Sequence, residues 1–460
     1  MEEAILLTAT SSIDTILNRI GFGWYQVKVF TYLSWITFSD GAEIMVISLV
    51  TKILQSDWNL SDGEVELMGG ILFLGMIIGT ALSGPLGDKL GRKVTLLSGT
   101  TVLFVFGVIS AFMPDYWSFV LMRSVVGMSI GFLIPIQTAY EVEVCTEKSR
   151  GAFVIGTFLC FQVGMLFVVL LAFWLIPSLD SGYWRELIMI ASIPSGISVF
   201  FQLLWIDESP RYAALNQKFE YAAFILNKIA KANNAQFLNE EEVSVITQTK
   251  KPQAESISKR MKRLFSAKYL VVTLQLFYLW FIAGFVYYGL VFILPRTLSA
   301  DSSDKEALVD LAIINTLEIP TAVVPCFLIE NERFGRRKTL LICILVQTIG
   351  CVICSFYISQ AVFIVTVTVM LFLDLIYFDV IYPYTSEVYD TSIRGTGLSL
   401  CSIWARFAGF VSPFVLLSLH EINSAYPYIA FSTSSFIGLI VCYLLKYESR
   451  GQDLDSFIDN

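Results

Sequence analysis

Residues 84–93 read Gly84-Pro-Leu-Gly-Asp88-Lys-Leu-Gly91-Arg92-Lys93, a short charged stretch that ends one long apolar run, residues 67–86, and leads into the next, residues 94–113. A run of about 20 apolar residues is long enough to cross the hydrocarbon core of a membrane as a helix, because each residue of an α-helix rises about 1.5 Å. Two such runs joined by so short a charged loop predict a pair of membrane-spanning helices connected at the membrane surface.

The same apolar pattern recurs along the chain of 460 residues, of which 55% are hydrophobic and only 15% charged. A soluble domain has about 25% charged residues. Backbone polar groups inside lipid have to be paired within their own segment, so each run is predicted to be helical. The predicted fold class is an all-α membrane protein with twelve transmembrane helices in two six-helix halves. The predicted spans are residues 28–51, 67–86, 94–113, 117–140, 151–176, 187–206, 269–294, 308–329, 339–358, 361–384, 395–420 and 426–447.

Polar segments divide the chain and fix its predicted orientation, because Lys and Arg are retained on the cytoplasmic side of a membrane. Most of the 31 basic residues lie in segments on one side, and the exceptions are Lys52, Arg185, Arg296 and Lys305 in the opposite loops and Arg123 and Arg406 inside spans. Both termini are therefore predicted to be cytoplasmic. The predicted parts are an N-terminal segment 1–27, a six-helix bundle 28–206, a cytoplasmic linker with an amphipathic helix 207–268, a second bundle 269–447 and a tail 448–460.

The two halves repeat each other's charged loops. Asp88-Lys-Leu-Gly91-Arg92-Lys93 corresponds to Glu332-Arg-Phe-Gly335-Arg336-Arg337, and the spaced pair Glu143 and Arg150 corresponds to Glu387 and Arg394. All these correspondences have the same offset of 244 residues. A shared offset at two loops indicates duplicated six-helix halves, which place a solute site between them near the middle of the membrane.

These motifs resemble a known family. Residues 84–93 match the loop signature G-x-L-x-D-x-x-G-R-R/K of the major facilitator superfamily. Three further motifs are similar to its sugar-porter branch: Arg123 with Gly127 and Gly131, Glu208-Ser-Pro-Arg211, and Glu448-Ser-Arg-Gly451. Within that branch, residues 21–30, Asp40-Gly-Ala-Glu43, Trp280-Phe281, Tyr287-Tyr288-Gly289-Leu290 and residues 384–389 resemble the synaptic vesicle glycoprotein 2-related transporters. The resemblance runs from about residue 20 to 454 and implies a secondary transporter for a small organic solute.

The charged loops are predicted to act as a latch that closes the cytoplasmic side in one state and opens in the other. A carboxylate at the end of one helix stabilises the N-terminus of a neighbour, and glycine permits the tight turn. The alternative is that these residues only anchor the loops on the basic side of the membrane. The predicted gating residues are Gly84, Asp88, Gly91, Arg92, Glu143, Arg150, Glu332, Gly335, Arg336, Glu387 and Arg394.

Two carboxyl groups lie inside the first predicted span. Asp40 and Glu43 are three residues apart, so we expect them on one face of the helix, and a carboxylate inside a membrane costs about 2.5–3.5 kcal/mol on insertion scales. Arg123 in the fourth span is the predicted cationic partner. In proton-linked sugar porters an Asp and an Arg occupy these positions, so the resemblance implies proton coupling through Asp40, Glu43 and Arg123. A structural buried ion pair is the alternative.

Polar and aromatic residues within the spans are predicted to contact the solute. Aromatic faces can stack on a ring or hold a cation, although packing accounts for many such residues in membrane proteins. Acids outnumber bases inside the spans, which favours a cationic or zwitterionic solute if Glu318, Asp374 and Asp379 face the cavity. The predicted solute-binding residues are Trp35, Gln162, Trp280, Tyr287, Tyr288, Glu318, Tyr382, Trp404 and Arg406.

The sequence therefore predicts a proton-coupled secondary transporter that works as a monomer in the lipid bilayer, with no nucleic-acid partner and no cofactor or metal. It shows no nucleophile-base pair or phosphate-binding loop, so an enzyme is not expected. Cys351 and Cys354 lie in an apolar run without a second pair, which favours packing over metal binding. Two alternatives remain open at this point: a facilitative uniporter for a sugar-like or organic-ion solute, and a carrier-shaped binding or structural subunit that does not transport. The solute and the membrane are not predicted.

Overall fold

The computed structural model describes residues 13–177, 181–247, 257–301, 303–322, 324, 335–356, 358–390 and 393–445. These residues are almost entirely helical. Eleven of the described helices are long and apolar enough to cross a membrane. The N-terminal half contributes six of them: α1 (Trp24–Trp58), α2 (Asp62–Leu90), α3 (Arg92–Ser110), α4 (Tyr116–Val144), α5 (Arg150–Leu175) and α6 (Trp184–Trp205).

Four short helices follow at the position of the predicted linker: α7 (Pro210–Leu215), α8 (Phe219–Ala232), α9 (Glu240–Thr247) and α10 (Ile257–Leu264). The C-terminal half then consists of α11 (Leu270–Asp301), α12 (Asp304–Glu318), α13 (Gly335–Phe356), α14 (Gln360–Val388), α15 (Arg394–Ile422) and α16 (Tyr426–Tyr443). Helix α12 has 15 residues and continues into a 3-10 turn, Ile319–Ala322. Most of the remaining residues of the predicted span 308–329 lie outside the described part of the chain.

Local sequence sets the ends of these helices. Glu64 accepts hydrogen bonds from the backbone N–H (2.9 Å) and the hydroxyl (2.7 Å) of Ser61 at the start of α2. Asp115 caps α4 by accepting from the backbone N–H of Ser118 at 3.1 Å. Gly91 separates α2 from α3 with a φ of 91°, a backbone conformation that favours glycine. The charged loop 84–93 is therefore a break of one residue between two long helices.

Close packing of α2 against α4 uses glycine on both helices. A Cβ atom added to Gly75 or Gly79 would meet backbone atoms of α4, and one added to Gly127 or Gly131 would meet backbone atoms of α2. Small residues at such a crossing let two helix backbones approach within a membrane. Gly75 and Gly79 thus let α2 pack closely against α4, and the glycines that follow Arg123 in sequence do the same from α4.

We call the side of the protein that carries residues 84–93 the inner side and the opposite side the outer side. Near the outer side the two halves meet through hydrogen bonds. The Ser48 hydroxyl donates to the Val291 carbonyl at 2.7 Å, and the Ser418 hydroxyl donates to Glu66 at 2.7 Å. Gly70 of α2 packs against Phe410 of α15. The outer ends of the two halves are therefore held together in this conformation.

This contact predicts how to hold the outer side open. A Cβ at Gly70 would lie 2.8 Å from the Phe410 carbonyl oxygen and 3.1 Å from the Phe410 and Phe414 rings. Overpacking of about 1–3 kcal/mol shifts an equilibrium by roughly 5- to 150-fold, so Gly70→Trp is expected to favour the outward-open state and lower transport by about tenfold or more. A cysteine placed at the buried Ser48 should then react faster with a maleimide reagent.

Gly63→Trp is the matched control, because nothing lies within 4 Å of a Cβ at Gly63 on the same helix. It should leave both the transport rate and the reactivity of the Ser48→Cys reporter unchanged. Equal reporter reactivity in the two tryptophan variants would contradict a role of Gly70 in outer closure.

Candidate functional site

A cavity lies between the two halves. The space between its walls, together with the open solvent at its mouth, is about 870 Å³. Helices from both halves line it, so relative movement of the halves changes its shape. Its lining consists of Asp40, Ile134, Ile155, Phe158, Leu159, Phe161, Gln162, Tyr287, Tyr288, Thr321, Leu375, Phe378, Asp379, Tyr382 and Arg406.

Asp40 is the charged residue that the N-terminal half contributes to the described wall of the cavity. Its side chain is nearly buried, with 7% exposed, and its Oδ1 atom has no hydrogen-bond partner in the described structure. An ionised carboxylate with an unpaired buried oxygen is unfavourable. Asp40 is therefore a group that gains from a proton or a cationic ligand.

The C-terminal half contributes the opposite charge. Of the described residues that line the cavity, Arg406 of α15 is the basic one, and Asp379 of α14 is a second acid. Arg406 donates from Nη1 to the Ser402 carbonyl at 2.9 Å and interacts electrostatically with Asp40 and Tyr288. Asp40 and Arg406 thus attract each other across the boundary between the halves.

The aromatic wall is formed by residues of both halves. Tyr287 reaches across the boundary, with its hydroxyl 3.5 Å from Gln162 Oε1 and 3.4 Å from Met165 Sδ. The Tyr287 and Tyr288 rings pack edge to face with centroids 5.4 Å apart, and Phe378 lies against both. This arrangement presents π faces and phenol hydroxyls together with two carboxyl groups and one guanidinium group.

Arg123 has a different partner from the one we expected. Its Nη1 donates to Glu43 Oε2 at 2.6 Å and its Nη2 to the Glu43 carbonyl at 3.2 Å, and the Arg123 side chain is fully buried. A Cβ at Gly107 of α3 would lie 3.2 Å from Glu43 Oε1, so the pair sits inside the N-terminal half. The expected pairing of Arg123 with Asp40 is not present.

The rotation between successive residues of α1 explains why Asp40 and Glu43 have different partners. Residues three apart are separated by about 300° around the axis, which leaves about 60° between their side chains. On α1 this difference directs Asp40 to the cavity and Glu43 to the interior of the half. The two carboxyls, which were expected on one face of the helix, therefore have different surroundings.

Four of the predicted solute-binding residues are not among the lining residues. Trp280 lies behind the wall, where its Nε1 donates to Thr385 Oγ1 at 2.9 Å and its ring contacts Tyr382 at 4.5 Å. Trp404 stacks on Phe277 and Trp35 packs against Phe38. Glu318 is buried behind the cavity, with 1% exposed. Gln162, Tyr287, Tyr288, Tyr382 and Arg406 do line the cavity.

The predicted gating residues form equivalent ion pairs in the two halves. Arg92 Nη2 lies 2.9 Å from Glu143 Oε1, and Arg336 Nη2 lies 2.6 Å from Glu387 Oε1, so the internal repeat is visible in the geometry. Asp88 joins the first pair at 3.3 Å from Arg92. Gly335 starts α13 with a φ of 63°, Arg394 starts α15, and Gly84 has no neighbour within 4 Å of an added Cβ. Glu332 lies outside the described residues.

Arg150 contacts an acid outside the two charged loops. Its guanidinium contacts Asp14 and donates to the Val142 carbonyl at 3.0 Å, and Arg211 contacts the same oxygen of Asp14. Asp14 belongs to a helical segment, residues 13–20, that ties the start of α5 to α7. Nothing in the local sequence distinguishes Asp14 from the other acids of the polar segments, so the sequence alone does not predict this contact.

Glu208, near the start of the linker, is hydrogen-bonded to the loop 84–93. Its carboxylate accepts hydrogen bonds from the backbone N–H of Arg92 at 2.8 Å and of Ser209 at 2.9 Å. Burial raises the pKa of the Glu208 carboxyl above its ordinary value, although these hydrogen bonds act in the opposite direction. Glu208 caps the N-terminus of α3, where a negative charge is favourable.

Comparison with known proteins adds to this geometry. A family model described as "Sugar (and other) transporter" matches residues 33–458. Synaptic vesicle 2-related protein of Xenopus laevis is 28% identical over an alignment 475 positions long, gaps included. The alignment covers 97% of this chain and 82% of that protein. Organic cation/carnitine transporter 7 of Arabidopsis thaliana is 28% identical over 495 residues, with 97% and 96% covered.

Solved structures show the same fold. The inward-open conformation of the xylose transporter XylE from E. coli superposes with a TM-score of 0.76 and 19% identity, covering 94% of this chain and 98% of that one. A partially occluded inward-open conformation of XylE gives a TM-score of 0.75 and 18% identity, with 93% and 99% covered.

Proposed function

Because the chain belongs to the sugar (and other) transporter family of the major facilitator superfamily, we propose that it moves its solute together with a proton. The predicted family, the fold class and the relation to the synaptic vesicle 2-related proteins are confirmed. The chain is an integral multi-pass membrane protein that transports a small solute, and its relatives are transporters rather than enzymes. The coupling to a proton and the chemical class of the solute are our proposals.

The observation that carries the coupling is Asp40, whose Oδ1 atom lacks a partner while it lines the cavity between the halves. A carboxyl group in such a place changes its interactions most when it gains or loses a proton. Asp40 is thus the proton carrier, and the Glu43–Arg123 pair keeps α1 and α4 in register beside it.

Coupling follows from the position of Arg406. Ionised Asp40 attracts Arg406 of the opposite half, and protonation removes that attraction. Because the two residues belong to halves that move relative to each other, the proton changes the relative free energies of the inward- and outward-open states. A solute that binds between them changes the same balance, so proton and solute influence each other's binding.

The solute class we propose is a small organic cation or zwitterion. Asp40 and Asp379 offer negative charge, Tyr287, Tyr288 and Phe378 offer aromatic faces for an ammonium group, and Arg406 can bind a carboxylate. The relative named organic cation/carnitine transporter 7 supports this class. A monomer suffices for the mechanism, since one chain supplies both walls of the cavity.

The test is transport by the purified chain in proteoliposomes that contain a pH-sensitive dye. Quaternary ammonium compounds, carnitine-like zwitterions, nicotinate-like acids and sugars are offered one at a time, with a protonophore as control. An ammonium-bearing solute is expected to enter with protons and to accumulate when a pH gradient is imposed. The protonophore should abolish that accumulation but leave solute exchange intact.

Three other outcomes have distinct meanings. A solute that equilibrates without any pH response shows a uniporter. Accumulation of a sugar or an acid with protons retains the coupling and overturns the solute class. A chain that binds but moves none of these solutes contradicts transport of the proposed classes and favours a carrier-shaped binding protein.

A further inference from the structure

Two carboxyl groups are buried in the C-terminal half behind the cavity wall. Glu318 at the end of α12 is 1% exposed and Asp374 in the middle of α14 is 2% exposed. In each, one carboxyl oxygen has no hydrogen-bond partner in the described structure: Oε2 of Glu318 and Oδ2 of Asp374. The two groups also interact electrostatically with each other. Two buried carboxylates in this position would repel each other with part of their hydrogen-bonding capacity unused.

The surroundings of the pair are polar but carry no described positive charge. The Gln347 amide of α13 donates to Asp374 Oδ1 at 2.6 Å, and the Ser435 hydroxyl of α16 lies 3.4 Å from Gln347 Oε1. The other titratable groups that act on the pair within the described residues are phenols and thiols on α11, α13 and α14: Tyr287, Tyr288, Tyr377, Cys343 and Cys351. None of these groups is a cation at neutral pH, so no described neighbour neutralises the pair.

The pair adjoins the cavity at two points. The Thr321 hydroxyl donates to the Glu318 carbonyl at 2.7 Å, and Thr321 lines the cavity. Tyr287 interacts electrostatically with both acids and also lines the cavity, where its hydroxyl lies 3.5 Å from Gln162 of the other half. A change of charge on the pair is therefore felt at the boundary where the two halves meet.

We propose that Glu318 and Asp374 form a second proton-binding site, separate from Asp40, that exchanges its proton during the transport cycle. The proposal rests on the proposed proton coupling and extends it to the C-terminal half. The two carboxyls, each with an unpaired oxygen, share at least one proton when the site is closed. They release it when movement of the halves lets water or the solute reach Tyr287 and Thr321.

A proton fits this site better than a metal ion. Sodium-like and divalent cations need several oxygen ligands around them, and the described side chains here supply two carboxyls, the Gln347 amide and the Ser435 hydroxyl on four different helices. Gln347 already uses its amide group on Asp374. A proton needs only the unpaired oxygen of one carboxyl and an acceptor beside it.

The test compares wild type with the shape-preserving variants Glu318→Gln and Asp374→Asn in the same proteoliposomes. Solute flux and proton flux are measured together, and we expect both variants to transport solute with fewer protons per solute molecule than wild type. Asp40→Asn is the reference variant that loses the proton carried by Asp40 and keeps the Glu318–Asp374 pair. An unchanged proton-to-solute ratio in both variants, with solute flux intact, would overturn the proposal.

A second measurement needs no solute. Infrared difference spectra of the wild-type chain between acidic and alkaline buffer should contain a carboxylic-acid C=O band that Glu318→Gln and Asp374→Asn each reduce. If wild type moves no protons with any solute but shows this band, the proposed coupling fails while the proton site stands. Absence of any difference between wild type and the two variants, or a band that sodium ions abolish at constant pH, would show that the site does not hold an exchangeable proton.

Discussion

Asp40→Asn is expected to lower accumulation of solute driven by a pH gradient about tenfold per pH unit, while leaving exchange of solute across the membrane intact. Asparagine keeps the shape of the side chain but cannot bind and release a proton. One pH unit is worth about 1.4 kcal/mol, so each proton that moves with the solute raises its accumulation about tenfold under that gradient, and the variant should lose the factor that belongs to Asp40. Exchange requires only that the loaded cavity opens to each side in turn, which asparagine permits.

The measurement pairs gradient-driven uptake with exchange in the same vesicles, and Asp379→Asn is the matched control. Asp379 is the other acid of the cavity wall, so its amide variant should weaken binding of a cationic solute and still accumulate it with the pH gradient. Accumulation by Asp40→Asn equal to that of wild type would eliminate Asp40 as the proton carrier. Loss of both accumulation and exchange would make Asp40 a solute contact instead.

Arg123→Met is expected to lower the yield of folded protein sharply. The guanidinium of Arg123 is fully buried against Glu43, and removing one partner of a buried ion pair costs about 3–5 kcal/mol because the other charge stays buried alone. Typical proteins are stable by only about 5–15 kcal/mol, so this loss is a large fraction of the total. The yield of monodisperse protein after detergent extraction, measured by size-exclusion chromatography, should fall sharply.

The double variant Glu43→Gln/Arg123→Met tests the reason for that loss. It removes both charges and leaves an amide beside an apolar chain of similar length, so it should recover much of the yield. Recovery together with pH-driven accumulation would show that the pair is structural and that coupling resides elsewhere. A double variant as unstable as Arg123→Met would contradict the argument from an uncompensated charge.

Some of the site was predictable because the relevant pattern is local or repeated. The offset of 244 residues related Arg92 to Arg336 and Glu143 to Glu387, and the structure shows the two matching ion pairs. Gly75 and Gly79 of α2 are four residues apart, and both approach the backbone of α4. In both cases a spacing in the sequence carries the geometry, since helices place residues at fixed intervals.

Pairing across the fold was less predictable. Asp40 and Glu43 both carry a carboxyl group, so charge alone did not show which of them pairs with Arg123. The difference of about 60° around α1 decided that Arg123 binds Glu43. Glu318 was expected in the cavity wall but is buried outside the lining residues. Asp374 is turned toward α13, where the Gln347 amide donates to it. Trp280 and Trp404 pack within the C-terminal half.

The sequence by itself determined that the chain is a helical multi-span carrier with duplicated halves, because hydrophobic length and repeated loops are read directly along the chain. Only the tertiary structure decided which acid faces the cavity, which acid neutralises Arg123 and which acids are left with unpaired oxygens. Those outcomes depend on the rotation of each helix about its axis. Packing against several neighbours sets that rotation, and the pattern within a nearly uniformly apolar helix does not encode it.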